Sequence, residues 1–481
     1  MAIRPYFAPT MLTIARLTEA CGGRLQRPQE NTRPTGFSID SRTLQAGQFF
    51  IALPGRRTDG HRFLRQAFAR GACGALVQSG QKLPDNVGYN LIGVPNTGRA
   101  LRQVAGAYRS QLAIPLIGIS GSAGKTTSKE LLAHLLRRAG RRVYRSPGNY
   151  NSEIGLPLAL LNLPSQTEIG VFELALQRPG EIGQLAQILR PTVGLITGIG
   201  DAHLGFFPDR QALAAAKWEL IQSLPSDGLA LLNLDDEFLS ARAGDLPCRL
   251  LGYGINRSDI AWRASRIEDF SLEGLRFRLE TPQGNCLLKS KLLGRHNVYN
   301  ILAATALARV LGVDPADCSR ALAEFEPVNH RLQLRHSQRY GWLLDDSYNA
   351  SPQATKQALR TLARLHLPGY QKIFVFGGIL ELGAHSREAH REIAAELARL
   401  VQHDPGGGSY KFFGLGEEAA RTGRALRSEQ GWSAERVRLA GELEGLAELI
   451  QAELAGEKNL ILIKGSRALA LERLVEILQS T

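Results

Sequence analysis

The sequence predicts an α/β protein of three domains: a small N-terminal α/β domain, a central phosphate-loop domain with a mostly parallel sheet, and a C-terminal Rossmann-like α/β domain. Three observations predict it. The chain has 481 residues, enough for about three domains at roughly 150 residues each. From residue 113 onward, short apolar runs alternate with helical periodicity, the pattern of parallel strands buried on both faces. The first of those runs opens into a glycine-rich turn and then a helix.

Residues 1–112 read as the N-terminal domain. The start, MAIRPYFAPTMLTIARL, lacks an apolar core segment and a cleavage site, so no signal peptide is expected. FSIDSRTLQAGQFFIAL (37–53) reads as two short strands about a turn at Ala46-Gly47, and HRFLRQAFARGACGALV (61–77) as a helix feeding a strand. NTGRALRQVAGAYRSQL (96–112) has apolar spacing near 3.6 and reads as a helix, closed off by Pro115. Residues 113–328 form the central domain. PLIGIS (115–120) is a strand and TSKELLAHLLRR (127–138) a helix stopped at Gly140. IGVFEL (169–174), TVGLITGI (192–199) and LALLNL (229–234) are further buried strands, and 250–293 reads as an antiparallel addition. Residues 329–481 repeat the alternation with WLLDD (342–346), KIFVFGG (372–378), YKFFGLG (410–416) and NLILIKG (459–465); HDPGGGS (403–409) is a loop.

The formal charge of +13 is unevenly placed. Residues 1–112 carry 15 basic and 5 acidic side chains, 113–328 carry 23 and 22, and 329–481 carry 20 and 18. The excess belongs to the N-terminal segment, dispersed among apolar residues rather than in the runs of a nucleic-acid tail. It suits a small anionic guest. Five cysteines far apart, with no metal-binding spacing, point to free thiols in a reducing, cytoplasmic setting. No apolar run reaches the ~18 residues of a membrane helix.

The chemistry concentrates in GISGSAGKTT (118–127). Gly121 and Gly124 let backbone N–H groups curl round phosphate oxygens, and the helix start adds its positive dipole end. Ser122 and Thr127 belong to the same cradle. Lys125 is placed to reach β- and γ-phosphates, and the Thr126 hydroxyl to ligate Mg²⁺. The strict spacing of the phosphate-loop motif is not met, because position 119 is Ile. Taken alone the loop says only nucleoside triphosphate, and a motor, a kinase, a nucleic-acid-stimulated ATPase and a ligase all fit. Glu173 ends a buried strand, where doubly wound sheets open onto the nucleotide crevice, and its carboxylate suits Mg²⁺. By residue type alone, His203 reads as a structural histidine and Lys217 as a solvated helix lysine. Asn297 can offer both a donor and an acceptor to an adenine edge, or cap its helix.

Further segments follow in order: GNYNSEIGLPLALL (148–161), FELALQRPGEIGQLAQILRPTVGLITGIGDAHL (172–204), AAAKWEL (214–220), LGRHNVYNILAA (293–304), DDSYNASP (345–352), LELGAHSREAH (380–390) and KGSRALALE (464–472). Together with FSIDSR (37–42), these resemble the motifs of the Mur ligases, ATP-dependent amide-forming enzymes of peptidoglycan synthesis. DDSYNASP and ELGxxSxxxH resemble the branch that adds a dipeptide. The chain departs from the family pattern at Trp218, Asn329-His330, Gly378 and Ala468.

The resemblance implies an ATP-dependent ligase that joins D-alanyl-D-alanine to UDP-N-acetylmuramoyl-tripeptide through an acyl phosphate. Another amino-acid ligase of the family is the near alternative, and a nucleic-acid-stimulated ATPase the distant one. The third peptide residue, diaminopimelate or lysine, stays open. The resemblance also implies the site. Lys125, Glu173, His203 and Lys217 are catalytic, and two Mg²⁺ ions are held by Thr126, Glu173, His203 and a carbamylated Lys217. His296, Asn297, Asn300, Arg331 and Asp346 join the loop in binding ATP. Ser41, Arg42, Asn149, Asn151 and Asn349 bind substrate. A monomer is expected, with one domain per substrate, no nucleic-acid partner and no membrane insertion.

Overall fold

The computed structural model describes residues 13–29, 32–55, 58–81, 88–269, 271–404, 409–454, 456 and 458–480. Of the segments read from sequence, the first twelve residues and the glycine run 405–408 lie outside the described residues.

Among the described residues the chain builds three sheets. The first has five strands in the order Arg24–Gln26, Leu91–Val94, Gly74–Gln78, Phe49–Ile51, Phe37–Ser38, parallel except for its first strand. The second has nine, and its parallel part runs Arg249–Gly254, Leu229–Asn233, Val193–Ile196, Leu116–Ser120, Ile169–Glu173, Val143–Arg145. The third has six, in the order Gln333–Ser337, Gly341–Asp346, Asn459–Lys464, Gln371–Phe376, Tyr410–Leu415, Val437–Ala440, with only the first strand antiparallel.

The segment 250–293 corrects a sequence expectation. Arg249–Gly254 follows the helix Glu237–Arg242, whose crossover lets it lie parallel to Leu229–Asn233. Antiparallel pairing begins only where Trp262–Asp269 meets Leu275–Thr281, and continues to Gly284–Ser290 across a tight turn. The helix Ile14–Cys21 and the strands of three to five residues at 24–26, 91–94, 143–145, 333–337 and 437–440 were not foreseen. Strands that short carry too little alternation to read.

Period-2 alternation sorts the side chains. In the central sheet Ile117, Ile119, Val171, Val193, Leu195 and Leu231 pack with the helices Lys125–Arg138, His296–Val310 and Pro315–Ala323. Leu116, Phe172, Ile196, Ala230 and Leu232 face the other way, onto Gly155–Leu161, Glu181–Leu189 and Arg210–Gln222. In the third sheet Phe374, Phe376 and Phe412 line one face, and Ile373, Val375 and Phe413 the other. Both sheets are covered on two sides, as their unbroken apolar strands require.

The core under the central sheet does not stop at its own helices. Leu17, Phe37, Leu76, Ile92, Leu101 and Val104 of the N-terminal segment belong to the same apolar cluster as Leu158, Phe172 and Leu185. Polar contacts seal that join. The Asn162 amide pairs with both backbone groups of Phe37, accepting from N–H at 2.9 Å and donating to the carbonyl at 3.0 Å. Arg109, almost wholly buried, donates to the carbonyls of Leu189 (2.6 Å), Leu112 (2.7 Å) and Arg190 (2.8 Å). Burial, with Arg190 nearby, lowers its pKa to about 10, still high enough to keep it charged at pH 7. Arg109→Ala strands these carbonyls, and at roughly 1–3 kcal/mol per unsatisfied buried group it should cost about 3 kcal/mol. Urea denaturation of the variant beside the parent measures this, and an unchanged midpoint refutes the clamp.

Candidate functional site

The carboxyl ends of the strands set the site. In the central sheet they deliver Gly121, Glu173, Thr197 and Asn233; in the third they deliver Asp346, Gly377 and Lys464. Thr197 and Asn233 from the first set and Asp346 and Lys464 from the second line one cleft of about 430 Å³. Crevices at the carboxyl edge are where open α/β sheets take their ligands. The cleft is lined by the loop residues Ser122 to Thr127, by His203, and by His296, Asn297 and Asn300 at one helix start; Arg331, Asp346, Asn349 and Lys464 line it from the third domain.

The phosphate loop is clamped between its neighbours. Gly121 and Gly124 take φ of +143° and +82°, and a Cβ on either would overlap Thr197 or Asn300. Only glycine fits both the turn and the contact. The Ser122 hydroxyl donates to the Gly200 carbonyl at 3.2 Å, and the Gly200 N–H donates to the Ser122 Oγ at 2.8 Å. Ser128 donates to Asn300 Oδ1 at 3.2 Å, and Asn300 donates to Asn297 Oδ1 at 2.8 Å. Asn297 in turn donates to the Leu293 carbonyl at 2.7 Å. Much of the hydrogen-bonding capacity of these two amides thus goes to fixing the loop's helix against the helix His296–Val310.

Basic groups gather round the loop. Lys125 Nζ folds back on the Gly121 carbonyl at 2.6 Å. Burial pulls its pKa down to about 8, with Glu173 opposing and Arg331 assisting. Lys217 is 1% exposed on the helix Arg210–Gln222. Burial first, then Lys125, holds its pKa well below the ordinary lysine value. Among the described residues its amine has no hydrogen bond or ion pair. His203 takes φ +69°, and burial, then Lys125 and Lys217, lowers its pKa to about 4. Its Nδ1 is buried without a hydrogen-bond partner and lies 3.6 Å from Glu381 Oε2. His296 is likewise held neutral by burial, near 4, with an unpartnered Nδ1. A pocket that depresses several cations at once suits an anion, whose charge would restore them.

Glu173 is 2% exposed at the end of its strand. Lys129 Nζ lies 3.2 Å from Glu173 Oε1, yet that oxygen has no partner in hydrogen-bonding geometry. Oε2 receives only a long 3.4 Å contact from the Asn151 amide. Lys129 is fully buried and also donates to the carbonyls of Ser146 (2.8 Å) and Gly148 (3.4 Å). It therefore ties the loop's helix, Glu173 and the segment carrying Asn149 and Asn151 together. Sequence reading missed it, although a lysine four residues after Lys125 stands on the same helix face.

Asp346 pairs with Lys464 at 2.5 Å and accepts from the Leu332 N–H at 3.2 Å. Arg331 stacks over Tyr348 at 4.2 Å. His330, where the family pattern has glycine, takes the left-handed φ of +62° and contacts Asp345 at 2.8 Å. Asn349 accepts from the Arg467 N–H at 3.3 Å. Asp235 and Asp236, unforeseen from sequence, line the cleft with their oxygens turned to backbone N–H groups. Ser41 and Arg42 lie apart from this cleft, in the N-terminal domain. The Ser41 hydroxyl donates to Gln66 at 2.7 Å, and exposed Arg42 is paired with Asp40 at 2.8 Å. Asn149 is exposed.

Removing Lys129 would leave a buried carboxylate without its cation, an outcome that costs about 3–5 kcal/mol in measured cases. Lys129→Met should destabilise the chain on that scale in a denaturant titration, and Lys129→Arg by clearly less. Equal, small effects for both variants would mean that the lysine does not secure Glu173.

Comparison with known proteins agrees with this geometry. Three family models match consecutive parts of the chain: "Mur ligase family, catalytic domain" over residues 34–109, "Mur ligase middle domain" over 119–308, and "Mur ligase, glutamate ligase domain" over 330–467. The UDP-N-acetylmuramoyl-tripeptide–D-alanyl-D-alanine ligase of Bacillus subtilis is 34% identical over 467 residues, covering 96% of this chain and 97% of its own. The Escherichia coli ligase of the same name is 32% identical, with 97% and 98% covered. The crystal structure of MurF from Acinetobacter baumannii superposes with a TM-score of 0.84 at 28% identity over the whole of both chains. The ADP complex of the MurF ligase from Thermotoga maritima gives 0.77 at 27% identity, covering 94% of this chain and 99% of that one. With all three domains matched in order, and relatives above 30% identity along nearly its full length, the chain belongs to the Mur ligase family.

Proposed function

We propose that the chain joins D-alanyl-D-alanine to UDP-N-acetylmuramoyl-tripeptide at the expense of ATP, making the pentapeptide precursor of peptidoglycan. The observation that carries this is one cleft lined by the phosphate loop and His203 opposite Arg331 and Asp346, with Glu173 and Lys217 buried in the same domain, in a chain 34% identical to a ligase of that specificity. Work divides by segment: 1–112 takes the uridine nucleotide, 113–328 the ATP, and 329–481 closes over ATP and takes the dipeptide. The separate sheets and the excess positive charge of 1–112 support this division.

The tripeptide carboxylate attacks the γ-phosphorus of ATP and forms an acyl phosphate and ADP. The dipeptide amine then attacks the acyl carbon, and the tetrahedral intermediate collapses to the amide and phosphate. The loop N–H groups and Lys125 hold the β- and γ-phosphates, and an incoming polyanion returns the lysine to full charge. Arg331 and Asp346 hold the nucleotide from the far side of the cleft, and Asn149, Asn151 and Asn349 contact the peptide substrates. Ser41 and Arg42 take the uridine diphosphate, for which Arg42 exchanges Asp40 for phosphate oxygens.

The residues present fit Mg²⁺. Glu173 keeps a carboxylate oxygen free of hydrogen bonds, Thr126 presents a hydroxyl at the helix start, and His203 is neutral with an unpartnered nitrogen. Bound there, two Mg²⁺ ions supply the charge that lets carboxylate and triphosphate approach. Lys217 fits carbamylation, because burial disfavours its ammonium form, the neutral amine is the form that adds CO₂, and the product is an anionic oxygen ligand. The same reading takes the chain to act as a monomer, with one domain per substrate. It works in the cytoplasm, as five free thiols and nucleotide substrates suggest. Among the described residues no helix is long and apolar enough to cross a membrane.

Phosphate release from ATP should require both UDP-N-acetylmuramoyl-tripeptide and D-alanyl-D-alanine, with the pentapeptide product seen by mass spectrometry. Steady ATP hydrolysis without them, or stimulated by DNA or RNA instead, ends the ligase reading. Lys217→Ala should lose activity that bicarbonate does not restore, and should lose the ¹³C carbamate signal that the parent shows with labelled bicarbonate. A fully active variant would remove the carbamate from the mechanism.

A further inference from the structure

The motif ELGxxSxxxH brings one residue into the cleft whose role the account above leaves open. Glu381 lines the cleft from the third domain with its side chain half exposed. The other carboxylates lining it are engaged by the protein. Asp201 is paired with Arg210 (2.5 Å) and Asp346 with Lys464 (2.5 Å). Asp235 accepts from the N–H groups of Ile255 and Asn256 and from the Tyr299 hydroxyl, and Asp236 from the N–H groups of Ile199, Phe238 and Leu239. Among the described residues Glu381 has no hydrogen-bond donor, and the one ion-pairing side chain within reach is His203, whose Nδ1 lies 3.6 Å away.

The backbone that carries the carboxylate is held in place. Its backbone carbonyl lies 2.7 Å from where a Cβ on Gly205 would stand, so the loops of the two domains touch at a point only glycine allows. Behind it, the Ile379 N–H donates to His390 Nε2 (3.2 Å) and the Leu380 N–H to the Ser466 hydroxyl (2.9 Å). His390 is fully buried, and its Nδ1 lies 2.7 Å from the Ser386 carbonyl, an acceptor only. This assigns the proton to Nδ1 and leaves Nε2 free to accept. Leu382 is buried in the third domain's core. The serine and histidine of the motif thus brace a loop whose glutamate faces the reacting groups.

A carboxylate that no protein donor engages repels a triphosphate, an acyl phosphate and a uridine diphosphate alike. Of the three substrates only the incoming dipeptide carries a cationic group, and the Mg²⁺ ions are assigned above to Thr126, Glu173, His203 and Lys217. Resting on the ligase reading, we infer that Glu381 binds the ammonium group of the incoming dipeptide and so holds its nitrogen beside the phosphate loop, the ammonium giving up one proton to solvent before the amine attacks. The charge-assisted hydrogen bonds of an ammonium to a carboxylate give the site its preference for a free α-amine.

The test compares Glu381→Gln with the parent, using ATP, UDP-N-acetylmuramoyl-tripeptide and D-alanyl-D-alanine. The KM for D-alanyl-D-alanine should rise about tenfold or more, the scale of one lost charged contact, while the KM values for ATP and for the UDP-tripeptide stay within about twofold. Isothermal titration with the dipeptide lacking its α-amine, in the presence of ADP, should show equal affinity for parent and variant, whereas D-alanyl-D-alanine itself should bind the variant more weakly. An unchanged KM for D-alanyl-D-alanine overturns the inference. So does a variant whose half-saturating Mg²⁺ concentration rises while its dipeptide KM does not, since Glu381 would then serve the metal. If the parent makes no pentapeptide, it is the ligase reading that has failed, not this assignment.

Discussion

A carboxylate has to be brought against a triphosphate in a cleft that sheds water, and the repulsion between those two anions is what the architecture answers. Strand ends from two sheets converge there because that edge of an α/β sheet presents helix starts and loop N–H groups together. Lys125, Lys217 and His203 are crowded into a space where burial disfavours the charge of each. The site is therefore uncomfortable for its own cations, and a polyanion relieves it. The discomfort is tolerable because rigid packing surrounds it: the loop is wedged between Thr197 and Asn300, and the buried Lys129 steadies Glu173 from behind.

Acidic residues in the cleft follow the same electrostatic logic. Four of them face a backbone N–H group or a basic side chain, so little of their charge opposes the nucleotide. Glu381 departs from this pattern, and the loop that carries it is braced by the buried His390 and by Ser466. A carboxylate carried on so firm a loop in a site built for anions makes chemical sense opposite a cation.

Much of this was legible in the residues. The strand, glycine turn and helix at 115–138 identified the phosphate loop, and unbroken apolar runs such as NLILIKG and KIFVFGG marked strands covered on both faces. Glu173 could be placed at a strand end by counting. Lys129 was not legible, because a lysine in TSKELL looks solvated until a second strand and the 146–148 turn close over it. Asp235 and Asp236 were hidden for a related reason: their partners, Ile199 and Ile255, become neighbours only through the sheet. The strand Arg249–Gly254 went astray because its direction depends on a six-residue helix, Glu237–Arg242, too short to carry a periodic signal. His330 shows the limit of matching letters, since a histidine takes up the left-handed backbone that the family pattern assigns to glycine.

The apolar cluster that runs from Leu17 and Phe37 into Leu158 and Leu185 joins two sheets into one solid body, and Arg109 and Asn162 lock the seam. If Ser41 and Arg42 take the uridine nucleotide as proposed, the span from them to the loop at 121–127 is then a fixed length, not a hinge angle. A sugar nucleotide anchored at one end offers its terminal carboxylate to the γ-phosphate only if its peptide is long enough to cover that length and short enough not to overshoot. On the proposed reading, the N-terminal domain would work as a gauge, with substrate size measured by a weld made largely of leucines.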